Sequence, residues 1–190
     1  MGYHTILSGQ RFTFDSVKEV MAKAGEHKSG DVLAGVAAAS DIERIAAKDV
    51  LAGMTLRELY ENPAAPYEED EVTRINIDGL NRKIFGEIAG WTVSDLREWL
   101  LSYEADNEAI HRISRGLTAE MVASVCKLMT NLDLIYAAQK IRVTAHCNTT
   151  VGERDIMGTR LQPNHKTDNV EGITASLFEG LSYGCGDVLI

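Results

Sequence analysis

The sequence lacks a cluster of lysine and arginine residues. Its 19 basic residues face 28 acidic ones, and the formal net charge is −9. Because nucleic-acid-binding domains normally carry a basic patch, this balance argues against a nucleic-acid partner. The longest apolar run, residues 32–39, is far too short to cross a membrane, and the first residues do not follow the pattern of a secretory signal. We therefore expect a cytoplasmic protein without a membrane partner.

Cysteine is scarce, and the common catalytic motifs are missing. The three cysteines, Cys126, Cys147 and Cys185, are widely spaced, which favours reduced thiols over a disulfide framework. The five histidines are scattered, and none is paired at the spacing of metal ligands. The sequence also lacks a phosphate-binding glycine loop, a dinucleotide fingerprint and a nucleophile elbow. Spacing alone therefore reveals no self-contained active site and predicts no metal ligands.

Helical periodicity dominates residues 1–140, which we interpret as one helical domain. Residues 3–14 are an exception and predict either a short hairpin or an extended arm. A helix is predicted over residues 72–88, and a long one from Thr118 through Ile135, with apolar residues on one stripe. Trp91 and Trp99 are predicted to be packing anchors. The fold predicted for this region is therefore mostly α.

The composition changes after Lys140, where β-branched residues and glycines become frequent. Residues 159–164 predict a strand that leads into a polar loop and a helix, and residues 186–190 predict the opening of a second strand. Parallel strands require a crossover of this kind. We therefore predict that residues 141–190 are the first β/α unit of a barrel that this chain does not complete, a truncated barrel.

Two polar side chains mark the end of the predicted strand. In an extended strand Arg160 and Gln162 project from the same face, and Pro163 then ends the pairing. Functional side chains of parallel β/α folds gather where strands end. Thr167 or Asp168 is predicted to cap the following helix. The spacing fits a binding site, but taken alone it favours a structural hydrogen-bond network of the Arg/Gln pair.

The sequence resembles the large subunit of ethanolamine ammonia-lyase over essentially its whole length. The resemblance is carried by long matching segments in the family's order: residues 29–40, 43–44, 46–48, 67–74, 133–136, 148–152, 160–164 and 179–184.

The resemblance implies a bacterial, adenosylcobalamin-dependent enzyme with a TIM-type barrel. Such enzymes convert ethanolamine or similar vicinal amino alcohols to an aldehyde and ammonia by radical chemistry. It also implies a small subunit and other large subunits as partners, and a cytoplasmic location that extends to bacterial microcompartments. The family's Arg-Leu-Gln-Pro-Asn motif maps onto residues 160–164, so the resemblance makes Arg160 and Gln162 substrate contacts. The family's chain is much longer, so we expect the catalytic and cobalamin-binding residues beyond Ile190.

The charge of the substrate indicates that the site needs further residues. Ethanolamine carries an ammonium group, which Arg160 alone would repel. No carboxylate is expected beside Arg160 and Gln162 in this segment, so carboxylates from elsewhere would have to hold the ammonium. We therefore expect the chain to be inactive alone. The alternative interpretation is a non-catalytic helical module that serves subunit packing.

Overall fold

The computed structural model describes residues 2–146, 150–153 and 155–188. Its contacts divide the chain into two compact units, residues 1–141 and residues 142–190. Helices account for about half of the chain, and the described strands are short. The predicted predominance of helix is therefore confirmed.

The first unit begins with a β-hairpin. Strand β1 (Tyr3–Leu7) pairs antiparallel with β2 (Gln10–Phe14). Ser8 and Gly9, which connect them, have φ angles of 50° and 78°. Two successive positive φ angles are typical of the tight turns that suit the twist of paired strands. Of the two alternatives predicted for this segment, the hairpin is the one observed.

Helices form most of the remainder of the first unit. In chain order they are α1 (Val17–Lys23), α2 (Ser29–Leu33), α3 (Asp41–Gly53), α4 (Leu56–Glu61), α5 (Glu71–Asp78), α6 (Arg82–Ile88), α7 (Val93–Leu101), α8 (Asn107–Ser114), α9 (Ala119–Leu128) and α10 (Asn131–Lys140). Side-chain oxygens cap most of their N-termini, because the first backbone N–H groups of a helix have no partner within it.

The predicted helix over residues 72–88 is divided into α5 and α6. Asn81 separates them, and its side chain accepts a hydrogen bond from the Ile84 N–H at 3.2 Å. Asn81 thus acts as the N-cap of α6, a role for which asparagine is strongly preferred. The prediction of one continuous helix was wrong because the local capping bond outweighs the apolar periodicity.

The long helix predicted from Thr118 through Ile135 is likewise divided, into α9 and α10. Thr130 and Asp133 form a capping box, in which each side chain accepts a hydrogen bond from the other residue's backbone N–H. Leu132 is 77% exposed, so the apolar stripe predicted for the core does not continue into α10. Both the continuity and the second half of the stripe were predicted wrongly.

The core of the first unit is centred on α3, α7 and α9, which contact one another. Their inward-facing side chains are almost fully buried: Ala46, Ala47, Leu51, Val93, Leu96, Met121, Ser124 and Val125. Truncating a buried leucine to alanine costs about 2–5 kcal/mol, so residues such as Leu51 dominate the stability of this unit.

The two tryptophans pack at the edge of this core. The ring centroids of Trp91 and Trp99 lie 5.7 Å apart, and both side chains are partly buried against the cluster. Such tilted aromatic pairs add to the stability gained from burial. Their predicted role as packing anchors is confirmed.

No helix in the described part of the chain is long and apolar enough to cross a membrane.

In the second unit, the described residues form two pairs of short strands and one long helix. Strand β3 (Ala145–His146) pairs antiparallel with β4 (Thr150–Val151). Strand β5 (Arg160–Leu161) leads through a polar loop to α11 (Val170–Ser182), and β6 (Asp187–Val188) then pairs parallel with β5. The predicted order of strand, loop, helix and strand is therefore present. Residues 142–146, 150–153 and 155–188 form no closed barrel.

Candidate functional site

The parallel strands of the second unit bring Arg160 next to a residue that lies far away in the sequence. In the register of β5 and β6, Arg160 is opposite Asp187 and Leu161 is opposite Val188. The ladder ends at Leu161, so Gln162 follows the strand. The shared face of Arg160 and Gln162, which the sequence predicts for an extended strand, stays a prediction.

The carboxylate of Asp187 was missed by the sequence reasoning. We expected no carboxylate beside Arg160 in this segment, but the strand register places Asp187 there. Side chains opposite each other in a parallel pair project to the same side of the sheet, because the two strands share the pleat. The register could not be foreseen, since α11 and its flanking loops separate the two residues in the chain.

A close approach of α11 to β5 fixes the position of the strand. Gly180 of α11 is buried and faces the side chain of Leu161. A Cβ atom at Gly180 would lie 2.9 Å from Leu161 Cγ and nearer still to its methyl groups. Real Cβ contacts are essentially never this short, so a side chain at Gly180 would force Leu161 to shift.

The polar loop between β5 and α11 is held by His165. Its imidazole ring lies over Gly172, where a side chain would overlap the ring. His165 Nδ1 is 3.0 Å from Thr167 Oγ1, which fixes the middle of the loop. Asn169 caps α11 by accepting a hydrogen bond from the Gly172 N–H at 2.8 Å. The cap predicted at Thr167 or Asp168 was therefore wrong by one or two residues.

Arg160 and Gln162 are both exposed to solvent. A guanidinium is a planar group with five N–H donors, and a carboxamide adds a donor pair and an acceptor. Together with Asp187, which is partly buried, these side chains supply donors, acceptors and charge of both signs in and directly after the parallel pair. Such a set can bind a small polar molecule that carries hydroxyl and amino groups.

The described residues contain no group of three or more His, Cys, Asp and Glu side chains placed to hold a metal ion. The acidic stretch of residues 68–71 instead leads into α5, and Asp70 caps that helix through the Thr73 N–H at 2.7 Å. Cys126 and Cys185 are free thiols, while Cys147 lies outside the described residues.

Comparison with known proteins identifies the family to which this chain belongs. The family model described as ethanolamine ammonia lyase large subunit (EutB) matches residues 12–190. The chain therefore belongs to the ethanolamine ammonia-lyase large-subunit family.

Individual relatives agree with the family match. The chain is 48% identical over all of its 190 residues to the ethanolamine ammonia-lyase large subunit of Escherichia coli strain K12. It has the same identity, again over its full length, to the large subunit of Salmonella typhimurium strain LT2. In the Escherichia coli comparison it spans 42% of the relative's length. The chain thus matches less than half of each whole subunit.

Proposed function

We propose that this chain is part of the large subunit of an adenosylcobalamin-dependent ethanolamine ammonia-lyase and that Arg160 and Gln162 contribute to its substrate site. The family match and the 48% identity to two enzymes of that name support the reaction class. The observation that carries the site assignment is the location of Arg160 in the short parallel strand β5, opposite Asp187 and just before an exposed polar loop. The second unit is then the first β/α unit of a TIM-type barrel.

The role of Arg160 follows from its chemistry. A guanidinium donates hydrogen bonds and stays charged throughout the physiological range. It would donate to the hydroxyl oxygen of the amino alcohol and stabilise negative charge that develops there. Gln162 can accept from the substrate as well as donate to it, and so would orient the molecule. Neither side chain can bind the ammonium group by an ion pair.

Asp187 would supply part of the negative charge that the ammonium group requires. Its carboxylate, in register beside Arg160, would lower the local positive potential that otherwise repels a cation. It also offers an anchor for the guanidinium across the strand pair. Further carboxylates from the remainder of the subunit would bind the ammonium directly.

The cobalamin itself does not fit the described residues. One cavity among them has a volume of about 530 Å³ and lies in the first unit, lined by α4, α5 and the loop between them. A corrinoid is much larger than the drug-sized ligands that cavities of this size enclose. We therefore assign cofactor binding, which would supply the radical chemistry, to parts of the enzyme outside this chain, including the small subunit.

Substitution of Arg160 in a complete large subunit, assembled with its small subunit, tests the site assignment. Arg160→Ala should lower kcat/KM for ethanolamine by at least about tenfold, since each loss of about 1.4 kcal/mol of transition-state stabilisation has that effect. Arg160→Lys keeps the charge and should recover only part of the activity, because its ammonium lacks the planar donor fork. Unchanged turnover and affinity in Arg160→Ala would refute the assignment.

A second candidate function is subunit packing by the helical unit. It is favoured by the exposed apolar side chains on α10, where Leu132 and Ile135 are 77% and 55% exposed. Isolated apolar side chains are common on surfaces, but several on one helix are typical of an interface. Mixing the chain with small subunit and adenosylcobalamin separates the two candidates. Ammonia release would show retained catalysis, whereas complex formation without turnover, which we expect, would show a packing function.

A further inference from the structure

The first unit contains a small cavity. It has a volume of about 220 Å³ and is bounded by α4, the loop that follows it, α5 and the start of α9. Its walls are largely apolar, with a few polar side chains. The lining includes Leu59, Ala64, Asn76, Ile77 and Glu120.

Glu120 is the charged side chain of this lining. Its Oε1 accepts a hydrogen bond from the Ala64 N–H at 2.9 Å, which leaves Oε2 available to a ligand. Burial raises the pKa of the carboxyl group, because a desolvated carboxylate is costly. Within the described ranges of the chain, no lysine, arginine or histidine forms an ion pair with Glu120. A cation in the cavity would offset this cost.

The side-chain amide of the lining is already engaged as a donor. Asn76 Nδ2 donates to the Val72 carbonyl at 2.8 Å, so its carboxamide oxygen remains for a ligand. The backbone N–H groups at the N-terminus of α9 would by themselves favour an anion. Glu120, in the first turn of α9, already supplies that negative charge. The remaining side-chain oxygens therefore match a ligand that donates hydrogen bonds and carries positive charge.

We propose that this cavity binds a small primary alkylammonium ion. Its ammonium group donates to the Glu120 carboxylate, and its alkyl part lies against the apolar wall that includes Leu59 and Ile77. The size is suitable, because an apolar cavity of about 150 Å³ holds benzene. This inference rests on the first unit alone and does not depend on the proposed function.

Titration of the 190-residue chain by ¹H–¹⁵N NMR tests the proposal with n-butylammonium chloride at neutral pH. We expect saturable shifts for the amides that line the cavity, with that of Ala64 among the largest. Binding should be in the millimolar range, as is usual for a ligand of so few atoms. Neutral 1-butanol and anionic butyrate, at the same ionic strength, should bind much more weakly.

Glu120→Gln separates charge from structure. Glutamine keeps an oxygen that accepts from Ala64 but removes the negative charge, so affinity for butylammonium should fall about fivefold to tenfold. Glu61→Gln is the matched control, because Glu61 is an exposed residue of α4 that does not line this cavity. It should leave affinity unchanged.

Three results would overturn the proposal. The first is an absence of saturable shifts in the folded wild-type chain. The second is equal binding of butylammonium by wild type and Glu120→Gln. The third is binding of butyrate or butanol at least as tight as that of butylammonium, which would show an anion site or a purely apolar cavity.

Discussion

Gly180 of α11 lies directly against the side chain of Leu161 in β5, with no space between them for a methyl group. Leu161 follows Arg160 immediately, so the packing of this one glycine determines where the candidate substrate-site arginine is held. The precision of a binding site depends on such supporting contacts, because small displacements of a polar side chain weaken its hydrogen bonds.

Gly180→Ala should destabilise the second unit. The added methyl overlaps Leu161, and overpacking of this kind costs about 1–3 kcal/mol. Gly86→Ala in α6 is the matched control, since no atom lies within 4 Å of the added Cβ and alanine favours a helix. Urea unfolding followed by NMR signals of each unit measures both. Equal stability changes in the two variants would contradict the contact.

Asp187→Asn should reduce the activity of a complete large subunit with its partner. Removing the charge beside Arg160 weakens both the anchoring of the guanidinium and the attraction of a cationic substrate. We expect kcat/KM to fall by about tenfold, with the KM term the larger. Asp168→Asn is the control, because Asp168 lies in the loop with φ of 50°, which asparagine tolerates. Equal losses of kcat/KM in Asp187→Asn and Asp168→Asn would refute the assignment of Asp187 to the site.

Glu120→Gln should stabilise the first unit at neutral pH. Because burial raises the pKa of Glu120 in the folded state, the unfolded state ionises first as pH rises. The wild type therefore loses stability between the ordinary pKa and the raised one. Glu120→Gln does not lose stability in this way. Its stability advantage over the wild type should therefore vanish below about pH 4, where the Glu120 carboxyl is protonated in both the folded and the unfolded state. Thermal unfolding across this pH range, with Glu61→Gln as control, measures the difference.

Lys127→Met should also stabilise the first unit at neutral pH, with the opposite pH dependence. Burial lowers the pKa of the Lys127 amine, as do the nearby positive charges of Lys28 and Lys48. The wild type therefore gains stability as pH rises through the lowered pKa towards the ordinary one, where the unfolded state also loses its proton. The stability advantage of Lys127→Met over the wild type should therefore shrink as pH rises from the lowered pKa to the ordinary one. Lys83→Met, on the exposed side of α6, should show no such trend.

The sequence allowed the helical character of the first unit to be predicted but not all of its helix boundaries. Asn81 and Thr130 each lie within an apolar pattern that predicts one continuous helix. Whether a polar side chain caps a new helix or stays within a longer one depends on tertiary packing, which periodicity does not contain.

The candidate site was predictable only where it is local in the chain. Arg160 and Gln162 lie two residues apart, and their family motif is visible in the sequence. Asp187 joins them through the register of β5 and β6, and the support from Gly180 depends on the approach of a helix to a strand. Both relationships join residues far apart in the chain, so no local sequence pattern predicts them.

The central location of α9 has a kinetic consequence for the first unit. Met121, Ser124 and Val125 are at most 2% exposed, and Ser124 Oγ lies 3.0 Å from Met21 Sδ of α1. Opening α9 would require its packing against α3, α4 and α7 to be lost together. Its amide protons should therefore exchange with deuterium only through global unfolding of the unit, whereas those of α2, which has no buried residue, should exchange through local opening.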